Sequence, residues 1–269
     1  MRNDLEEKAK WVWLETLRLH LANRETRIAS SLSPIEIFVA LFYGGILSFD
    51  PKNPMASDRD RMVISKGHGS ICFYPILVDL GFIDKIELDR IGKKGGILGG
   101  IPDPIIPGYE TINGSLGHGP GVACGIAKAL KTRGAAEQVF VLCGDGELHE
   151  GSCWEALMFA QQHKLDNINF IIDNNQISML DHTANVVDHI DLAKKFTAFG
   201  WDVLEVDGHD VLAVRDELME MKASRQSKPK VLIAQTVKGK GVPGLENHPL
   251  CHIINPKQEV LEEILNAAD

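Results

Sequence analysis

From about residue 139 onward, short β-rich runs alternate with helical ones, and this alternation restricts the fold more than any other feature of the chain. Residues 139–142, 168–172, 203–206 and 231–235 read as strands, being runs of Val, Ile, Leu and Phe bounded by turn residues. Residues 119–131, 152–163, 190–199 and 211–223 carry apolar side chains at helical spacing and read as helices. Strands separated by helices cannot pair as hairpins. They pair in parallel through crossovers, and the sheet is covered by helices on both faces. In such a sheet ligands bind at the carboxyl ends of the strands, where loops lead into helices. The loops after the first two strands are therefore where chemistry is expected.

The first half of the chain adds helix to this core. An amphipathic helix is expected over 5–21, with Trp11 and Trp13 beside its apolar positions, and another over 34–42, with Pro34 at its first position and Ser33 as its cap. Residues 50–61 read as a polar loop. Residues 92–108 contain six glycines and three prolines and read as a long loop beside a site. No internal repeat or linker divides the 269 residues, so a single domain is expected.

Composition excludes several partners. A net charge of −9, with Lys and Arg scattered, argues against nucleic acid. The longest apolar run, 37–47, is too short to span a bilayer, and the charged start has no signal core. No membrane partner and a cytoplasmic location are therefore expected. The five cysteines form no CxxC pair, which points to buried reduced thiols and no structural zinc.

The chemistry concentrates at two strand ends. Gly144-Asp145-Gly146 directly follows the strand 139–142, and its glycines let the backbone turn tightly while the carboxylate points into the crevice. Alone, such a tripeptide is a common turn. The next strand, however, ends in Asp173-Asn174-Asn175, about thirty residues on, with one helix and one strand between. Asp145 and Asn175 are thus expected on neighbouring strands at one edge. A carboxylate, an amide oxygen and a backbone carbonyl form a hard oxygen site suited to Mg²⁺ that takes its remaining ligands from a diphosphate.

The stretch from Gly144 to Gln176 resembles the thiamine diphosphate motif, and other runs resemble the transketolase branch of that family. These are Ser65-Lys66-Gly67-His68-Gly69-Ser70, Asn113-Gly114-Ser115-Leu116-Gly117-His118-Gly119, Phe199-Gly200-Trp201 with Val206-Asp207-Gly208-His209-Asp210, and Thr236-Val237-Lys238-Gly239-Lys240-Gly241. They keep the family's order from about residue 20 to 255. The resemblance implies the diphosphate-binding fold of those enzymes, thiamine diphosphate as cofactor, and Mg²⁺ (or Ca²⁺ or Mn²⁺) held by Asp145, Asn175 and the carbonyl of Ile177. It places Gly144, Gly146, His68 and His252 at the diphosphate, with Lys238 a weaker candidate, and Gly114 and Leu116 by the aminopyrimidine ring. His68, His252 and Glu150 thereby become catalytic candidates. Glu150 falls on a position between two active sites, although a carboxylate at a helix start needs no function. His20, His163 and His189 keep the ordinary reading of surface or satisfied core histidines.

The glutamate that activates thiamine in this family belongs to a pyrimidine-binding domain, and after His252 only a short helix over 258–267 is expected. The resemblance therefore implies a second, pyrimidine-binding transketolase subunit, an α2β2 assembly, and transfer of a two-carbon ketol unit between sugars or sugar phosphates. The alternatives are decarboxylating acyl transfer from pyruvate, of the deoxyxylulose-phosphate synthase kind, and a non-catalytic cofactor-binding subunit. Two positions depart from the family pattern. Arg27 and Ile101 stand where substrate-facing histidines are usual, which implies an unusual donor: one lacking the terminal hydroxyl, an anionic sugar, or pyruvate.

Overall fold

A computed structural model describes residues 2–111, 114–224 and 226–268. Five strands, β1 (Arg61–Ile64), β2 (Val139–Gly144), β3 (Ile168–Asn174), β4 (Asp202–Asp207) and β5 (Lys230–Gln235), form one sheet in the order β1-β2-β3-β5-β4. Every pairing is parallel. Among the described residues the helices are α1 (Arg2–Ala22), α2 (Ile28–Leu32), α3 (Ile35–Tyr43), α4 (Phe73–Leu80), α5 (Ile86–Asp89), α6 (His118–Thr132), α7 (Gly151–Gln162), α8 (Thr183–Val186), α9 (Leu192–Ala198), α10 (Val211–Ala223) and α11 (Gln258–Ala268). The expected α/β architecture is the observed one.

Strand periodicity sorts the core into two layers. Phe140, Leu142, Ile171 and Leu232 point to the face covered by α1, α3, α4, α10 and α11. Val139, Val141, Cys143, Phe170 and Ile172 point to the face covered by α6, α7 and α9. Because β2 and β3 are buried on both faces, they read as continuous apolar runs. Each large side chain so buried contributes about 1.5–3 kcal/mol. All five cysteines are buried and unpaired, as expected.

Several expectations need correction. The first strand, β1, begins at the last residue of the stretch read as a loop; four residues preceded by a charged run give too little pattern to detect. Ser33 does not cap α3. The helix begins at Ile35, and the Ser33 hydroxyl instead donates to Asp173 Oδ2 at 2.7 Å, because a buried carboxylate is a stronger acceptor than a helix end. The helix expected from Ile190 starts at Leu192, capped by Asp191, whose side chain accepts from the Lys194 N–H; Ile190 itself has φ +60° and is 88% exposed. The glycine-rich stretch 92–108 contains no strand or helix, yet Leu98 and Ile106 are buried and the Tyr74 hydroxyl donates to the Gly99 carbonyl at 2.8 Å.

His20 has a consequence for pH. It is fully buried, and since Thr26 Oγ1 donates to the Asn23 carbonyl, it must accept from His20 Nδ1–H, 2.6 Å away. That leaves Nε2 buried without a partner. Burial, with the charge of Arg24, lowers its pKa from 6.5 to about 4. The unfolded chain therefore binds one more proton between these values, and stability falls as pH drops through this window, by up to about 3 kcal/mol at its acid end. Urea midpoints measured from pH 7.5 to 4.5 should fall more steeply in the natural chain than in His20→Gln; equal slopes would contradict this.

Candidate active site

The register of the sheet brings the two strand ends together. Gly144 pairs with Asp173, and Asn174 with Gln235, so the chain leaves β2, β3 and β5 at one edge. Asp145 follows β2 and is 1% exposed. Its Oδ2 accepts from the Thr183 hydroxyl at 2.8 Å, and its backbone carbonyl accepts from His189 Nε2 at 2.9 Å. Burial pushes its pKa up, and among the described residues no ammonium or guanidinium lies within ion-pair distance of it. Asn175, 3% exposed, turns its Oδ1 to the Ile177 N–H at 3.2 Å. The carbonyl of Ile177 is in turn met by Lys238 Nζ at 3.1 Å.

Below these groups lies a buried polar knot. Asp173, with no exposed surface, accepts from Ser33, Thr236 and Lys66, and the Lys66 ammonium also donates to Ser33 Oγ at 3.0 Å. Burial alone would raise the Asp173 pKa, but the Lys66 charge and these hydrogen bonds outweigh it and hold the carboxylate below its ordinary value. The Asn175 amide donates toward Asp173 Oδ2 and Ser33 Oγ, both at 3.4 Å, which points its oxygen the other way.

A cavity of about 320 Å³ opens over this floor. Its lining includes His68, Gly114, Leu116, Gly144, Asp145, Gly146, Glu150, Asn175, Ile177, Lys238 and His252. The His68 and His252 rings meet edge to face, 5.3 Å between centroids, and Ser30 Oγ lies 3.1 Å from His252 Nδ1. Burial and the surrounding cations lower both imidazoles, His252 to about 3, so each is neutral at physiological pH and can still offer an N–H. Lys238, 4% exposed, is brought down to about 8 by burial and by the charge of Lys66. These groups are poised to receive negative charge.

The remaining sequence-named residues lie at the rim. Glu150 is exposed, in extended conformation at the start of α7, and caps nothing with its side chain. Gly114 has φ +121°, and a Cβ there would meet only Ile101, at 3.5 Å. Ile101 is 42% exposed. Arg27 precedes α2; it is exposed and outside the cavity lining, but its charge acts on both His68 and His252. Asn113, quoted in the motif run, lies outside the described residues. Sequence reasoning assigned no role to Ser30, Lys66, Asp173, Glu147, Thr183 or His189, all of which touch the site. His189 is a satisfied buried histidine, as read, but what satisfies it is the backbone of Asp145.

The donor set fits a hard divalent cation. Among the described residues no three His, Cys, Asp or Glu side chains converge to hold a metal. One buried carboxylate, one amide oxygen and one carbonyl are too few to enclose an ion, but they suit an ion that also coordinates a ligand's phosphates. A second cavity, about 590 Å³, opens behind Asp145 between His182 and Ala193. It shares Asp145 but none of His68, Asn175, Lys238 or His252, so the smaller cavity is the one with the chemistry.

Comparison with known proteins agrees. Residues 29–263 match the family model "Transketolase, thiamine diphosphate binding domain". The chain is 37% identical to a subunit of the apulose-4-phosphate transketolase of Actinobacillus succinogenes, over 97% of its own length and 94% of the relative's. It is 39% identical to the protein of the same name from Phocaeicola vulgatus, covering 88% of this chain and 83% of that one. Human transketolase is 35% identical over 97% of this chain, but only 42% of the human protein is covered. The solved transketolase of Campylobacter jejuni superposes with a TM-score of 0.89 at 30% identity, covering 97% of this chain and 42% of that one. The chain spans well under half the length of those last two proteins. A family match across nearly the whole chain, relatives 37% and 39% identical along most of their length, and a shared fold make this protein a member of the transketolase family, corresponding to its thiamine diphosphate binding domain.

Proposed function

We propose that this chain is the diphosphate- and metal-binding subunit of a two-chain transketolase, which moves a two-carbon ketol unit from a ketose donor to an aldose acceptor. The observation that carries this reading is the convergence of Asp145, Asn175 and the Ile177 carbonyl with His68, His252 and Lys238 around one cavity at the carboxyl edge of the sheet. Thiamine diphosphate supplies the stabilised carbanion in such chemistry. The protein's part is to bind, orient and shield.

Asp145, Asn175 and the Ile177 carbonyl hold the metal, taken to be Mg²⁺. Lys238 and the neutral imidazoles of His68 and His252 donate to diphosphate oxygens, with the backbone at Gly144 and Gly146 approaching closely. The Lys238 ammonium donates to the carbonyls of Ile177 and Ser178, so it stands beside the oxygen that would coordinate the metal. Gly114 and Leu116 form the wall beside the ring system. His68 and His252 also lie where a substrate oxygen could be met, and Glu150 faces outward toward a second protomer.

The pyrimidine pocket and its activating glutamate belong to a separate partner chain, giving an α2β2 complex in the cytoplasm. Relatives that are themselves named as subunits, matched almost end to end, support a partner. Their substrate name supports a phosphorylated ketose donor, and Arg27 and Ile101 at the rim suit an anionic donor that makes few hydroxyl contacts there. The test is reconstitution with the pyrimidine-binding chain. Ketol transfer from a ketose phosphate to an aldose, without release of carbon dioxide and absent from either chain alone, is expected. Carbon dioxide release from pyruvate would replace this reading, and turnover of neither substrate class would reduce the chain to a cofactor-binding role.

A further inference from the structure

Glu147 lies two residues beyond Asp145, is 2% exposed, and lines the cavity. No cation is within ion-pair distance of it among the described residues; three neutral donors hold it instead. Its Oε1 accepts the Gly117 N–H at 2.8 Å and the Ser65 hydroxyl, and its Oε2 faces the Gly144 N–H at 3.4 Å. These donors come from three separate places: the end of β1, the end of β2, and the loop that enters α6.

Gly117 is gripped from both sides. Its carbonyl accepts from Ser152 Oγ at 2.9 Å while Glu147 takes its N–H. Its φ of +82° suits glycine, and a Cβ there would lie 2.5 Å from Ser152 Oγ and 2.7 Å from Glu150 Cβ, so no side chain can push this peptide out of the grip. The clamped loop carries Gly114 and Leu116, the wall assigned to the ring system. The other end of the clamp is the turn that presents Asp145.

Resting on the cofactor reading above, we propose that Glu147 is a positioning residue that couples the ring-side loop, Gly114 to Gly117, to the metal-side turn, Gly144 to Gly146. Its hydrogen bonds set the distance between the two walls of the cavity, so a ligand that touches both walls depends on it, and a ligand that touches only the metal side does not. The two carboxyl oxygens of Glu147 offer enough acceptor sites for two backbone N–H groups and a hydroxyl together.

The test compares two ligands on the reconstituted complex: thiamine diphosphate with Mg²⁺, and inorganic diphosphate with Mg²⁺. In Glu147→Gln the affinity for thiamine diphosphate is expected to fall at least tenfold, while that for inorganic diphosphate stays within about twofold. Ser152→Ala, which loosens only the carbonyl side of Gly117, should show the same split with a smaller effect, and decides the matter if Glu147→Gln does not fold. Equal weakening of both ligands would make Glu147 a structural residue only, and unchanged thiamine diphosphate affinity would also overturn the coupling. A natural complex that binds neither ligand would instead sink the cofactor reading itself, a result distinguishable from either of these.

Discussion

Replacing Asp145 with asparagine is expected to raise the melting temperature of the chain measured on its own, while weakening metal-dependent binding of thiamine diphosphate by at least about 100-fold. The two effects have one cause. Asp145 is 1% exposed, and a hydroxyl, not a cation, satisfies its carboxylate. Its folded pKa lies above its ordinary value, so the ionised form is disfavoured in the folded chain, and the cost is present at every pH above that value. An amide of the same shape removes the buried charge and can still meet the Thr183 hydroxyl. The gain should be about 1 kcal/mol, or about 2–4 °C for a domain of this size. Loss of groups that merely orient metal ligands already costs 10- to 100-fold in affinity, so loss of the charged ligand itself should cost more. Differential scanning fluorimetry of each chain alone tests the first half, and titration of thiamine diphosphate with Mg²⁺ into each chain reconstituted with the pyrimidine-binding chain tests the second. A variant that is both less stable and still cofactor-responsive would contradict the account.

Asp173 should behave in the opposite way. Asp173→Ala removes the acceptor for Lys66, Ser33 and Thr236 at once and leaves an ammonium, 9% exposed, without its counter-charge. Breaking a buried pair from one side typically costs about 3–5 kcal/mol. A domain with about 5–15 kcal/mol in total would lose a large share of its stability, and its melting temperature should fall by about 6–20 °C. Adding Lys66→Met should recover part of the loss, because the unpaired charge is then gone. Chemical denaturation of the single and double variants measures this directly; a loss under about 1 kcal/mol for the single variant would show that the knot does not hold the strand ends together. The pH dependence has a defined sign. Because the folded pKa of Asp173 is depressed, its contribution is complete above the unfolded value, near 3.8, and is lost as pH falls through the folded one.

The contrast between these two aspartates explains what can be read from the sequence. Asp145 stands between glycines at the end of an apolar run, and Asn175 stands at the end of the next, so strand periodicity and the rule for parallel sheets place both at one edge. Asp173 carries no such mark. It lies inside the strand that ends in Asn174, and its partners Ser33, Lys66 and Thr236 are 140, 107 and 63 residues away. Only the closed fold brings them together. Ser33 is the clearest case: a local rule assigns it to a helix cap, and a distant carboxylate takes its hydroxyl.

The elements that sequence patterning misses are short or ambiguous. The strand β1 has four residues, and α2 is five residues with two serines, neither long enough to show a period. The helix α4, Phe-Tyr-Pro-Ile-Leu-Val-Asp-Leu, is rich in aromatic and β-branched residues, and its proline is tolerated only because it lies in the first turn. Gly117 and Glu147 belong to motif runs that are plain in the sequence, but a hydrogen bond between them across thirty residues has no one-dimensional signature.

In the proposed enzyme this chain holds the metal and diphosphate and needs a second chain to complete the pocket. Calorimetric titration of thiamine diphosphate with Mg²⁺ into the chain alone, and then into its mixture with the pyrimidine-binding chain, tests this most directly. Tight binding that requires both Mg²⁺ and the second chain is the predicted result; no binding in any mixture, or full-affinity binding by the chain alone, would contradict it.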